Sequence, residues 1–213
     1  MHVFYLHGFA SSAQSKKAAY FGERLRSYGV ALRCPDFNEP EFASLTLTRM
    51  LDQLARDLAT LDDRPVVLIG SSLGALVAIH TAARLPDRVD RLVLLAPAVM
   101  FPGNAEEVLG VERVRTWRQT GTLDVFHFAY GDTRRLNYTF CEDGLRYDAM
   151  AAVVMQPTII FQGLRDESVD HRMVEHFAAT RPNVALTLLD DDHQLMASLP
   201  SMWDQTAAFL ELT

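Results

Sequence analysis

The 213 residues, 49% hydrophobic and 22% charged, have the balance of a folded chain and not of a disordered one, and a single domain with a continuous core is expected. Lys plus Arg at 20 against Asp plus Glu at 27 leave a formal net charge of -7, which repels phosphate backbones and argues against a nucleic-acid partner. Cys34 and Cys141 are too few for a disulfide framework and stand in no metal-like spacing, so both read as buried or half-buried thiols.

In chain order, Val3 to Leu6 reads as the first strand. With His2 it is far shorter than a secretory apolar region and lacks a basic lead, so a cytoplasmic location is expected. A helix is predicted from Lys16, capped by Ser15, with Phe21 and Leu25 on one face and Gly29 as its stop. Val30 to Arg33 follows as the second strand. From about Thr46 to Leu61, Leu47, Leu51, Leu54 and Leu58 recur at three- and four-residue spacing. That period predicts a helix burying a leucine stripe and leaving Arg49, Asp52, Arg56 and Asp57 to solvent. Strands at Val66 to Ile69 and Leu92 to Leu95 bracket a third helix from the Ser72 turn to about Arg84. The longest apolar run, Leu92 to Phe101, is broken by Pro97 and too short to span ~30 Å of hydrocarbon, so no membrane partner is expected.

Between Phe101 and Met155 the alternation breaks. Pro102-Gly103 leads into a helix and then a hairpin, with Val125 to Tyr130 and Leu136 to Phe140 flanking a turn at Gly131-Asp132-Thr133-Arg134. Thr158 to Phe161 and Val184 to Leu188 are the last strands, and a closing helix follows Pro200 with Trp203, Ala207 and Leu210 on one face. The whole predicts an α/β fold: a doubly wound, mostly parallel sheet of about six strands flanked by helices, ordered second, first, third, fourth, fifth, sixth. Residues 1–213 form one domain in this reading, with 101–155 as a cap-like insertion.

The chemistry centres on Gly70-Ser71-Ser72-Leu73-Gly74, a Gly-x-Ser-x-Gly pattern placed between an apolar strand and a helix. A hydroxyl displayed on so sharp a turn needs glycine on both sides, because close packing leaves no room for a Cβ there. Ser71 fails that test, since Ile69 and Leu73 would be its flanks. The helix start aims the Leu73 N–H at any oxyanion that forms on Ser72, and the loop His7-Gly8-Phe9 after the first strand offers the Phe9 N–H as second donor. Gly8 lets that backbone come close, and His7 reads as a structural anchor for the loop.

Ser72 needs a base, and the base needs a carboxylate to fix its tautomer. Asp166, just beyond the fifth strand, and His193, just beyond the sixth, fall at the Ser72 edge in the chain order Ser, Asp, His. Glu167 and Asp170 are alternative acids should the loop turn differently. Among the other histidines, His80 points away by periodicity, His171 and His176 are expected in solvent, His2 lies at the wrong strand end, and His127 on the hairpin could touch substrate. The run Asp190-Asp191-Asp192 reads as a solvated loop with no metal.

These residues resemble the α/β-hydrolase fold superfamily along nearly the whole chain. Tyr5-Leu6-His7-Gly8-Phe9-Ala10-Ser11-Ser12, Ser15-Lys16, Pro35-Asp36-Phe37-Asn38 and the Ser72 elbow are similar to the small YqiA-type esterases. Against the superfamily pattern, the chain begins at what would be its third strand. The resemblance implies esterase activity without metal or organic cofactor; the expected substrate is a small-molecule ester of small to medium acyl chain, or alternatively a thioester, and the expected state a monomer or homodimer. A non-catalytic ligand-binding protein on the same fold is the reading from another class. Gly8, Phe9, Met100, Phe126 and Phe128 are the candidate substrate contacts; Phe101, Trp117, Phe126, Phe128, Tyr130, Tyr138 and Phe140 could roof an acyl pocket with Met100 and Phe9, or half or more of them could simply bury the segment against the domain. Arg134 and Arg135 at the hairpin tip could meet a carboxylate or phosphate, or simply be solvated.

Overall fold

A sheet whose strands are apolar on both faces must be covered on both, and β1 (His2–Leu6) and β3 (Val66–Ser71) are buried at every position. The computed structural model describes residues 1–213, and with β1 and β3 it builds four more parallel strands: β2 (Leu32–Arg33), β4 (Val89–Leu95), β7 (Thr158–Gly163) and β8 (Val184–Leu189). Their order across the sheet is β2-β1-β3-β4-β7-β8. Successive side chains serve opposite layers. Phe4, Leu6, Leu68, Leu92 and Leu94 join the cluster formed with α2 (Leu47–Ala59), α3 (Leu73–Arg84) and α7 (His171–Ala179). Val3, Tyr5, Val67, Ile69 and Val93 join that of α1 (Lys16–Arg26) and α8 (Leu199–Phe209).

Local signals account for the helices. Ser15 accepts the Ala18 N–H to cap α1, and Thr46 accepts the Arg49 N–H to cap α2. Leu47, Leu51, Leu54 and Leu58 are all buried, joined by Met50; full burial of each contributes ~1.5–3 kcal/mol. Arg49 departs from its expected place in solvent: its guanidinium donates to the Glu41 and Phe37 carbonyls and the Ser44 hydroxyl, holding the loop before α2. The second strand is also shorter than expected. The Val30 N–H closes α1 by donating to the Leu25 carbonyl, with Gly29 at φ 70°, and is not free for the sheet.

Residues 101–155 form α4 (Ala105–Leu109), α5 (Val111–Thr120), an antiparallel pair β5 (Thr122–His127) and β6 (Asp132–Asn137), and α6 (Thr139–Gly144). They lie on the α2–α3 face, where Trp117, Leu136 and Phe140 are buried in the larger cluster. The turn occupies Phe128 to Gly131, ahead of the expected Gly131–Arg134, because Gly131 ends the turn at φ 70° and does not begin it. Phe140 accordingly belongs to a helix and not to a strand. Asp143 pins this segment to the frame by accepting both the Thr48 N–H at 2.8 Å and the Thr48 hydroxyl at 2.6 Å.

Candidate active site

The turn between β3 and α3 puts Ser72 at φ 53° and ψ -114°, a conformation that non-glycine residues rarely hold. Packing holds it there. A Cβ on Gly70 would come within 2.5 Å of the Ala75 Cα, and one on Gly74 would overlap the Leu6 carbonyl oxygen. The two glycines are therefore steric requirements of α3 lying flat against β1 and β3, as their spacing around Ser72 predicts.

Two loops from the far side of the sheet meet this serine. The Ser72 hydroxyl lies 3.1 Å from His193 Nε2, and His193 Nδ1 lies 2.8 Å from Asp166 Oδ2. With Nδ1–H donating to the carboxylate, Nε2 is left to accept from the hydroxyl. Asp166 Oδ1 accepts the Ser168 and Val169 N–H groups, each at 2.8 Å, and Oδ2 also accepts from Gln162 Nε2 at 2.9 Å. Burial pushes the Asp166 pKa up, but its bond to His193, the imidazole charge and these donors outweigh burial and hold it below the ordinary carboxylate value. Glu167 and Asp170 make no such contact with His193: Glu167 is exposed, and Asp170 caps α7 through the Arg172 N–H.

The loop after β1 lies beside the serine. A Cβ on Gly8 would stand 3.2 Å from the Ser71 carbonyl oxygen and 3.4 Å from the Ser72 Cβ. The N–H groups of Phe9 and Leu73 have no backbone acceptor. His7 anchors the loop from beneath, its Nε2 accepting the Phe37 N–H at 2.9 Å and its Nδ1 donating to the Gly8 carbonyl at 2.9 Å. Phe9 stacks on Phe140 at 5.3 Å and meets Phe42 at 5.5 Å, while Phe101 meets Phe140 at 4.8 Å and half-buried Met100 packs on the same cluster. Phe126 and Phe128 do not join it. They pack edge to face on one another, 51% and 78% exposed, because strand alternation turns Val125 and His127 inward and Phe126 out. The aromatic cluster next to the Phe9 loop is built from Phe101 and Phe140, both among the rings expected to roof the pocket, together with Phe42.

Of the remaining histidines four are occupied elsewhere, and His176 is exposed as expected. His127 is fully buried, donates through Nε2 to Asn38 Oδ1 at 3.1 Å and stacks on Tyr130, so it ties the hairpin to the 36–38 loop and does not line an open site. His80 sits against Tyr147, its pKa held down to about 4 by burial and by Arg84. His171 is half-buried, bonded to Glu175, and His2 bonds Asp62. Arg134 pairs with Asp132 and lies over the Tyr130 ring.

Two further positions bear on the site without having stood out in the sequence. Gly163 ends β7, where a Cβ would come 2.6 Å from the Asp191 and Asp192 carbonyl oxygens, so only glycine lets the two loops that carry Asp166 and His193 close together. Asp191 belongs to the frame and not to solvent: buried, it accepts the Asp192 and Ser198 N–H groups and braces the turn ahead of α8. Both depend on contacts between loops far apart in sequence, which a local pattern does not carry.

A doubly wound parallel sheet with its serine on a strained strand-to-helix turn, faced by loops from later strands, defines the α/β-hydrolase fold. Within it the chain belongs to the Uncharacterised protein family (UPF0227), the YqiA-type family, whose model matches residues 2–211. Est1E from Butyrivibrio proteoclasticus, a structure with ferulic acid bound, superposes with a TM-score of 0.83 at 23% identity over 99% of this chain and 88% of its own. The mouse alpha/beta hydrolase domain-containing protein 10 gives 0.81 at 21% identity over 100% and 90%. Lipase LipV of Mycobacterium tuberculosis (strain ATCC 25618 / H37Rv) is 39% identical over 79 residues, which are 35% of this chain and 30% of that lipase. No helix is long and apolar enough to cross a membrane.

Proposed function

We propose that the protein is a serine carboxylesterase acting on small to medium acyl esters through an acyl-enzyme. The observation that carries this reading is the unbroken chain Ser72 Oγ to His193 Nε2 at 3.1 Å and His193 Nδ1 to Asp166 Oδ2 at 2.8 Å. In the first step Ser72 Oγ bonds to the ester carbonyl carbon as its proton passes to His193 Nε2, and the carbonyl oxygen takes the negative charge. The Phe9 and Leu73 N–H groups donate to that oxygen. Collapse breaks the bond to the alcohol oxygen, which leaves with the proton from His193. Water then repeats the sequence on the acyl-serine, giving the carboxylic acid and restoring the hydroxyl. Asp166 stays ionised throughout and steadies the imidazolium.

Phe9, Phe42, Phe101, Phe140 and Met100 supply an apolar wall for the acyl group, and no metal or organic cofactor enters the chemistry. Of the two cations considered for an anionic carrier, Arg134 is paired with Asp132 while exposed Arg135 is in no ion pair, so an acyl-coenzyme A thioester is the second reading. Residues 101–155 act in this reading as a cap on one α/β-hydrolase domain. A fluorophosphonate probe should form a stable adduct with the parent protein and none with Ser72→Ala. An unlabelled parent would mean a ligand-binding protein on a hydrolase fold. A chain-length series of p-nitrophenyl esters run beside acyl-coenzyme A substrates then tests the acyl group.

A further inference from the structure

Helix α1 begins with two lysines of opposite fate. Lys16 is exposed, whereas Lys17 is 8% exposed, on the same face as Phe21 and Leu25 one and two turns further on. Burying an ammonium is costly unless charge and hydrogen bonds compensate, so an isolated lysine at this place would ordinarily be replaced by an apolar side chain. What Lys17 meets is the loop of the candidate base. Its Nζ donates to the Gln194 carbonyl at 3.0 Å, one residue beyond His193, and the charges facing it are Asp192, Asp166 and Asp191. One of these is the carboxylate bonded to His193; the other two immediately precede the histidine.

We propose that Lys17 is a positioning residue for the reaction, holding the His193 loop through the Gln194 carbonyl and placing a fixed positive charge behind the Asp166–His193 pair. This rests on the esterase reading of the site. The hydrogen bond fixes where the loop puts the imidazole, and misplacement of a reacting group by about 1 Å can lower a rate as much as a hundredfold. The charge acts separately. A cation near the pair favours ionised Asp166, so removing that cation should move the pH dependence of the reaction upward. Burial lowers the Lys17 pKa to about 8 even against the pull of the three aspartates, so the ammonium is charged at neutral pH and held there at the expense of stability. A lysine whose pKa falls on folding opposes folding while protonated, and that opposition lifts only as pH rises from about 8 toward the unfolded value near ~10.4.

The test compares the parent, Lys17→Met and Lys17→Arg by the rate of fluorophosphonate labelling from pH 5 to 9, with thermal melting at pH 7. Lys17→Met should melt at or above the parent's temperature yet label on the order of tenfold more slowly. Its acid limb should move up by about half to one pH unit, and Lys17→Arg should bring the limb back toward the parent's. A Lys17→Met protein that labels with the parent's plateau and acid limb would overturn the role of Lys17 while leaving Ser72 chemistry intact. A limb shared by Lys17→Arg and Lys17→Met would also overturn it, because a role that ignores charge is only packing. Should Lys17→Met fail to fold, the Lys17→Arg profile decides by the same limb: displacement by more than half a unit counts against the proposal, and coincidence with the parent supports it. Absence of labelling in the parent would instead overturn the reading of the site.

Discussion

The carboxyl edge of the main sheet and the 101–155 segment use the same side-chain types under different constraints. At the sheet edge, β1 runs beside β3, β3 beside β4, β4 beside β7 and β7 beside β8, and each parallel pairing fixes where the next loop emerges. Ser72, Asp166 and His193, as much as 121 residues apart, then meet through two hydrogen bonds. In the 101–155 segment the strands pair only with each other, and it is attached by side chains: Asp143 and His127, the Arg181 and Asn183 bonds to its carbonyls, and residues such as Trp117, Leu136 and Phe140 buried in the core. A parallel sheet transmits position over long distances, while a segment outside the sheet is placed by the side chains that anchor it.

The comparison can be broken at the edge itself, where the largest effects are expected. Ser72→Ala and His193→Ala should each lower ester hydrolysis by about three decades or more with melting little changed, and Asp166→Asn should lower it by a comparable factor. A residual rate in Ser72→Ala close to the parent's would sink the nucleophile. Gly163→Ala comes next. Its Cβ would press on the loop before His193, so activity should fall on the order of a hundredfold while the sheet still forms, as circular dichroism would register.

In the 101–155 segment the expected effects are on stability. Asp143→Ala removes the acceptor for Thr48 and leaves the Thr48 N–H at the start of α2 without it, and should lower the urea-derived stability by about 1–3 kcal/mol. Acid should act on the edge through its carboxylates. Burial raises the Asp191 pKa, but the Ser198 bond and the neighbouring N–H donors outweigh it, so Asp166 and Asp191 both titrate below their unfolded values near ~3.9. Their contribution is complete above the unfolded value and lost as pH falls through the folded ones. Urea midpoints measured from pH 7 downward should therefore decline below about pH 4, and less steeply in Asp191→Asn. The smallest change is expected at the exposed pair: Phe126→Ser with Phe128→Ser should alter stability by no more than about 0.5 kcal/mol per site. A large rise in KM for that double variant would mean that the hairpin folds over bound substrate.

What the sequence by itself determined is whatever short-range periodicity and turn chemistry encode. The short continuous apolar runs of the buried strands and the leucine stripe of α2 specified the sheet and its crossovers. The glycines around Ser72, with the chain order of Asp166 and His193, identified the three polar groups before any fold was described. Tertiary structure alone decided which of two adjacent lysines is buried, why residue 163 is glycine, and which aromatic rings stand beside Phe9. Those outcomes depend on distances between segments with no periodic relation to one another, and burial of a charge or exclusion of a Cβ arises only when such segments come into contact.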